Sequence, residues 1–166
     1  SDGFLTVMLP QKLALPYGAF DHLELQTSLK GKNHFATEIR LLERPTELAR
    51  HPQGFIEAGR LASLAQKAFS HMPDYEEVFD IFKKALAHYA TGKNAAVVTF
   101  KAFYLMLSAE GFGVKEDWLG KLPASQKENA QALLALQLQN EPSSGEIEKI
   151  FLSLLQWAQS ELGFKA

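Results

Sequence analysis

The stretch Val97-Val-Thr-Phe-Lys-Ala-Phe-Tyr-Leu-Met-Leu-Ser-Ala-Glu-Gly-Phe-Gly113 is apolar on every face apart from Lys101 and, near its end, Glu110. A helix that is hydrophobic all round is buried on all sides. This one is too short, and too interrupted by its lysine, to cross a membrane. It reads as the central helix of a soluble helical domain, ended by Gly111 and Gly113. Lys101 is its most telling residue. A lysine there either snorkels its ammonium to the surface or holds an anion where the helix emerges.

Composition bounds the rest. A chain of 166 residues suggests one domain or two small ones. With 46% hydrophobic and 22% charged residues it can bury a core without staples. Cysteine is absent, which excludes disulfides, cysteine zinc sites and thiol chemistry and fits a reducing compartment. No signal peptide or membrane-spanning run is visible, and the first residue is serine, so the natural N-terminus is expected to differ. The net charge of −2 gives no global attraction to nucleic acid. Residues 1–72 are net +1 and residues 73–166 net −3, an asymmetry too small to change that.

The first 45 residues read as β. Phe4–Leu9 is a short buried-type strand, and Pro10, Pro16 and Gly18 mark the loop after it. Leu23–Leu29 alternates apolar and polar, as a half-buried strand does. Lys30-Gly-Lys-Asn33 is a hairpin turn with a glycine available for positive φ. Phe35–Leu42 returns, with Phe35, Thr37, Ile39 and Leu41 expected on one face. Three strands make at best an incomplete sheet.

From about Gln53 the pattern is helical. Phe55, Leu61, Leu64, Ala65 and Ala68 recur near helical spacing. Asp74-x-x-Glu77 is a capping box for a helix with Val78, Phe82, Leu86 and Tyr89 on one stripe, Lys83 and Lys84 at its edge, and Gly92 at its close. Ser125-x-x-Glu128 is expected to cap another helix, running to about Leu138. Ser143-x-x-Glu146 caps the last, with Ile147, Ile150, Phe151, Leu154 and Ala158 on its apolar face and Gly163 ending it.

Catalytic motifs are absent: there is no nucleophile elbow, phosphate-binding glycine loop or H-E-x-x-H. The histidines at 22, 34, 51, 71 and 88 lack metal-ligand spacing. Glu76-Glu77 sits where a first helical turn favours acid, and the helix dipole accounts for it. An enzyme reading has no residues to rest on, and no cofactor or metal is expected. Two features remain. Lys12, Lys30, Lys32, Arg40 and Arg44 scatter around the β segment, with Lys30 and Lys32 flanking a hairpin tip that a phosphate could reach. The competing reading is that hairpin tips are solvated and often carry lysine. The second feature is Lys101, for which a surface ion pair with Glu76 or Asp80 competes with anion binding.

Several segments, in order, resemble the RecO family of bacterial recombination mediators. Ser1–Leu9 is similar to an early RecO strand, and Leu15-Pro-Tyr-Gly-Ala-Phe-Asp-His-Leu-Glu-Leu25 to a segment of its oligonucleotide-binding barrel. His34–Arg44, ending Glu-Ile-Arg-Leu-Leu-Glu-Arg, resembles the strand leaving that barrel. Glu77-Val-Phe-Asp-Ile-Phe-Lys-Lys-Ala-Leu86, Thr99–Phe112 and Leu155–Lys165 resemble three segments of its helical domain. The family's first barrel strand would lie ahead of Ser1. Its basic Lys-Gly-Ala-Arg-Arg loop is not found before Leu15, and its zinc-ribbon cysteines have no counterpart between Gly113 and Ser125.

The resemblance implies an α+β protein: a partial N-terminal OB-fold barrel over residues 1–45, packed on a C-terminal α-helical domain of about five helices over residues 46–166. It implies a non-enzymatic, cytoplasmic, bacterial, nucleoid-associated role in DNA repair and recombination. The implied partners are single- and double-stranded DNA, RecR and the acidic-hydrophobic tail of single-stranded DNA-binding protein, and the implied outcome is strand annealing and RecA loading. Lys101 falls where the family places a basic residue that meets the tail's terminal carboxylate. Phe82, Lys83 and Tyr104 complete the expected docking set, while Lys12, Lys30, Lys32, Arg40 and Arg44 are the expected DNA contacts. The alternative is a helical protein-interaction module with a vestigial barrel and no DNA role. Trp118 and Phe112 fit either a docking surface or the core.

Overall fold

The computed structural model describes residues 7–9, 17–69, 76–135 and 143–164. It is an α+β arrangement of a small open sheet and a larger set of helices. β1 (Val7–Met8), β2 (His22–Lys30) and β3 (Asn33–Glu43) lie in the order β1-β3-β2. β1 runs parallel to β3, and β2 antiparallel to it. The sheet does not close among the described residues, so no barrel is formed there.

β2 and β3 join through a two-residue turn, Gly31-Lys32, with Lys30 opposite Asn33. Gly31 takes φ +64°, a region that costs glycine nothing. The alternation expected along β3 is broken. Gln26 pairs with Glu38 but Thr27 pairs with Ala36, so Thr37 is an extra residue and its hydroxyl donates to the Gln26 carbonyl. A bulge of this kind switches the faces on either side of it. Ile39 and Leu41 oppose Leu25 and Leu23, whereas Phe35 opposes Ser28 and carries the Lys30 ammonium 5.8 Å from its ring centre. The predicted Phe35, Thr37, Ile39, Leu41 face is therefore corrected.

After a 3-10 turn at Thr46–Arg50 come α1 (Pro52–Phe69), α2 (Glu76–Tyr89) and α3 (Ala95–Ala109). Short turns over Val114–Lys121 lead to α4 (Ala124–Ala135), and α5 (Ser144–Leu162) follows. α1, α2 and α3 contact one another, and α5 packs on α1 and α3. Phe103 of α3 is fully buried between Phe69 of α1 and Phe151 of α5, with ring centres 6.3 and 6.2 Å away. Gly54 lets α1 approach α2 closely: a Cβ there would sit 2.9 Å from the Tyr89 carbonyl oxygen.

The helix boundaries follow local chemistry. Ser143 and Glu146 form the predicted reciprocal capping box of α5, and Gly163 ends that helix at φ +68°. Gly92 (φ +69°) and Gly111 (φ +79°) follow α2 and α3. α4 starts at Ala124, behind Pro123, whose carbonyl accepts from the Lys127 N–H. Ser125 thus lies inside the first turn and is not its cap. The expected Asp74 cap and the stretch toward Leu138 fall outside the described residues. Trp118 is buried, packs at a tilt against Phe100 and donates to Ser153 Oγ, so it belongs to the core.

Sheet and helices meet at Phe20. This residue has φ +66°, unfavourable for a bulky side chain, yet its ring packs on Phe55 of α1 (5.4 Å) and Phe82 of α2 (6.1 Å). Among the described residues no helix is long and apolar enough to cross a membrane.

Candidate docking groove between the second and third helices

α3 is not buried on all sides, contrary to its sequence pattern. Val97, Phe100, Phe103, Met106 and Leu107 are buried, but Val98 and Lys101 are only half-buried and Leu105 is 41% exposed. These last three face a groove of about 510 Å³ between α3 and α2. The floor is apolar: Ile81 and Ala85 from α2, and Val98, Ala102 and Leu105 from α3. The charged groups are Glu77, Lys84 and His88 on α2, Lys93 in the turn, and Lys101 on α3. Val97 to Ala109 marks its length, roughly 18 Å at the helical rise.

Lys101 makes no ion pair with a carboxylate among the described residues. The expected pairing with Glu76 or Asp80 is not formed. Desolvation against the groove, and then the nearby Lys93 charge, hold its ammonium below the usual lysine pKa. Lys93 Nζ lies 3.2 Å from His88 Nδ1. An ammonium can only donate, so Nδ1 accepts and the imidazole is neutral in this contact. Desolvation, then Lys93 and Lys101, keep the His88 pKa below its ordinary value. Cationic groups therefore crowd one end of an apolar trough, and each disfavours charge on the others. An anion seated there offsets that mutual repulsion.

The other residues of the expected docking set lie elsewhere. Phe82 packs against Phe20 and the core. Lys83 lies over the Phe79 ring and lines a separate groove of about 480 Å³ with Phe20, His22, Glu43 and Arg44. Lys84 borders both grooves. Tyr104 packs on Trp118, and burial raises its phenol pKa. Lys84, His88 and Lys93 were missed in the sequence. For Lys84 and His88 the signal was the Ile81, Lys84, Ala85, His88 spacing, which puts four residues on one helical face; Lys93, in the turn beyond α2, had none.

The expected DNA contacts separate into two kinds. Lys30 and Lys32 are exposed at the hairpin tip. Arg40 faces Glu24 across the ladder, with 3.6 Å between charged atoms. Arg44 forms a two-pronged pair with Asp21, at 3.0 and 2.7 Å, and that bond holds the Asp21 carboxyl below the ordinary carboxylate range. Lys12 lies outside the described residues. Among the described residues no three histidine, aspartate or glutamate side chains are placed to hold a metal. No protein-family model, curated protein or solved structure matches this chain.

Proposed function

We propose that this chain is a non-enzymatic binding protein of recombinational repair, of the RecO kind, whose helical part docks the acidic-hydrophobic tail of single-stranded DNA-binding protein. The observation that carries this reading is Lys101, a half-buried ammonium without a carboxylate partner among the described residues, at the wall of an apolar groove. A peptide that ends in hydrophobic residues and a carboxylate satisfies both features at once. In this reading the sheet is what remains of an OB barrel, and Lys30 and Lys32 touch phosphate. RecR engagement, strand annealing and RecA loading follow from the RecO resemblance alone.

A second reading, a helical interaction module with no DNA role, draws support from the pairing of Arg40 and Arg44 with Glu24 and Asp21. Fluorescence anisotropy of a labelled tail peptide and of labelled single-stranded DNA separates the two. The mediator reading expects both to bind, the DNA with steep salt dependence from counterion release. Peptide binding alone selects the interaction module. In either case Lys101→Ala weakens the peptide by about tenfold or more, a loss of about 1.4 kcal/mol. An unchanged affinity in that variant removes the groove from the function.

A further inference from the structure

The Lys93–His88 contact gives the groove a property that tail docking alone does not require. Nδ1 of His88 can accept from Lys93 only while the imidazole is neutral. Once protonated, that nitrogen becomes a donor, and the 3.2 Å contact with an ammonium turns repulsive. A carboxylate placed between them reverses the balance. It accepts from Lys93 and from the protonated ring, and it faces Lys101 on the opposite wall. The remaining charges lining the groove are Lys84, which adds to the attraction, and Glu77, eleven residues before His88 on α2 and roughly 16 Å along the axis. Glu77 is thus too distant to compete for the proton.

We propose that Lys93, His88 and Lys101 form an anion subsite that takes up a carboxylate and a proton together, so that docking in the groove tightens as pH falls. The inference rests on the docking reading above and adds its regulation. The sign follows from linkage. Desolvation first, and then the Lys93 and Lys101 charges, keep the free imidazole neutral to lower pH than usual, and the charge of a bound carboxylate acts in the opposite direction. Between those two pKa values the complex binds one more proton than the free protein, and affinity gains at most about tenfold per pH unit. The proton comes from solvent. The ligand's own carboxylates, with ordinary pKa values of about 4, stay charged through this range.

The test is the dissociation constant of a fluorescent acidic-hydrophobic tail peptide on the full chain at pH 7.5 and pH 5.5. The wild-type chain is expected to bind about three- to tenfold more tightly at the lower pH, within that one-proton limit. His88→Gln is expected to bind with little change between the two. His88 is exposed, so this variant keeps the core intact. Equal affinity of the wild-type chain at both pH values overturns the subsite while leaving tail docking standing. A pH dependence that persists in His88→Gln does the same. Absence of binding at either pH overturns the docking reading and this inference with it.

Discussion

Thr99 Oγ1 stands 2.7 Å from Glu57 Oε2, and both residues are buried. The hydroxyl donates to the carboxylate, and the Tyr89 hydroxyl, 2.7 Å from Thr99 Oγ1, supplies the proton on its other side. This chain of donors joins α2, α3 and α1 through the middle of the bundle. Burial drives the Tyr89 phenol pKa far up. Arg60 extends the chain outward, 3.6 Å from Glu57 and 2.8 Å from Glu148 on α5. Replacing Thr99 with valine keeps the volume and removes the link. The expected cost is about 1–3 kcal/mol, the range for leaving buried partners unsatisfied, read as a lower midpoint in chemical denaturation. Thr99→Ser is expected to recover part of it.

The Asp21–Arg44 pair ties the start of β2 to the end of β3. Its consequence is a pH dependence of fixed sign. The Arg44 hydrogen bond first, and the Gly18 N–H second, depress the Asp21 pKa. The pair's contribution is therefore complete above the unfolded carboxylate value of about 3.9. It is lost as pH falls through the lower folded value. Carbon NMR titration of the Asp21 carboxyl is expected to show a midpoint below the ordinary range, and Arg44→Met to raise it toward that range while the Gly18 N–H keeps part of the shift. An ordinary midpoint in the unmodified chain contradicts the pairing.

The hairpin tip offers the cleanest probe of DNA contact. Lys30 and Lys32 are exposed on either side of Gly31, so charge reversal there disturbs no core residue. If the sheet carries DNA, Lys30→Glu with Lys32→Glu weakens single-stranded DNA binding and flattens its salt dependence by about two phosphate contacts. Tail-peptide affinity is expected to stay unchanged. DNA affinity that ignores this double change assigns any DNA contact to another surface.

Much of the fold was legible because its signals are local. The Ser143–Glu146 box, Gly163, Gly92 and the Gly31 turn each act within a few residues, and each lies where the sequence places it. The faces of β3 were not legible, because the bulge at Thr37 is fixed by pairing with β2. The start of α4 was misread because a serine and a glutamate three apart also fit inside a first turn. For the groove, Lys101 announced itself as a charge in an apolar run. Its neighbours did not, since Lys84, His88 and Lys93 reach it only once α2 folds back on α3. Phe82, Lys83 and Tyr104 are close to it along the chain or the family pattern, and helix rotation points them elsewhere.

Among the described residues the continuous core begins at Leu48 and runs to Ala158, and no strand residue belongs to it. Ala36 is the buried residue of the described sheet, while Leu25, Leu29, Leu41 and Leu42 stay exposed. The helices thus owe their cohesion to one another, and the sheet hangs on them through Phe20 and its neighbours. The sheet can be rewritten, or its amides exchange with solvent through local opening, at little expense to the α2–α3 groove. Substitutions in the bundle, by contrast, reach every helix that shapes that groove.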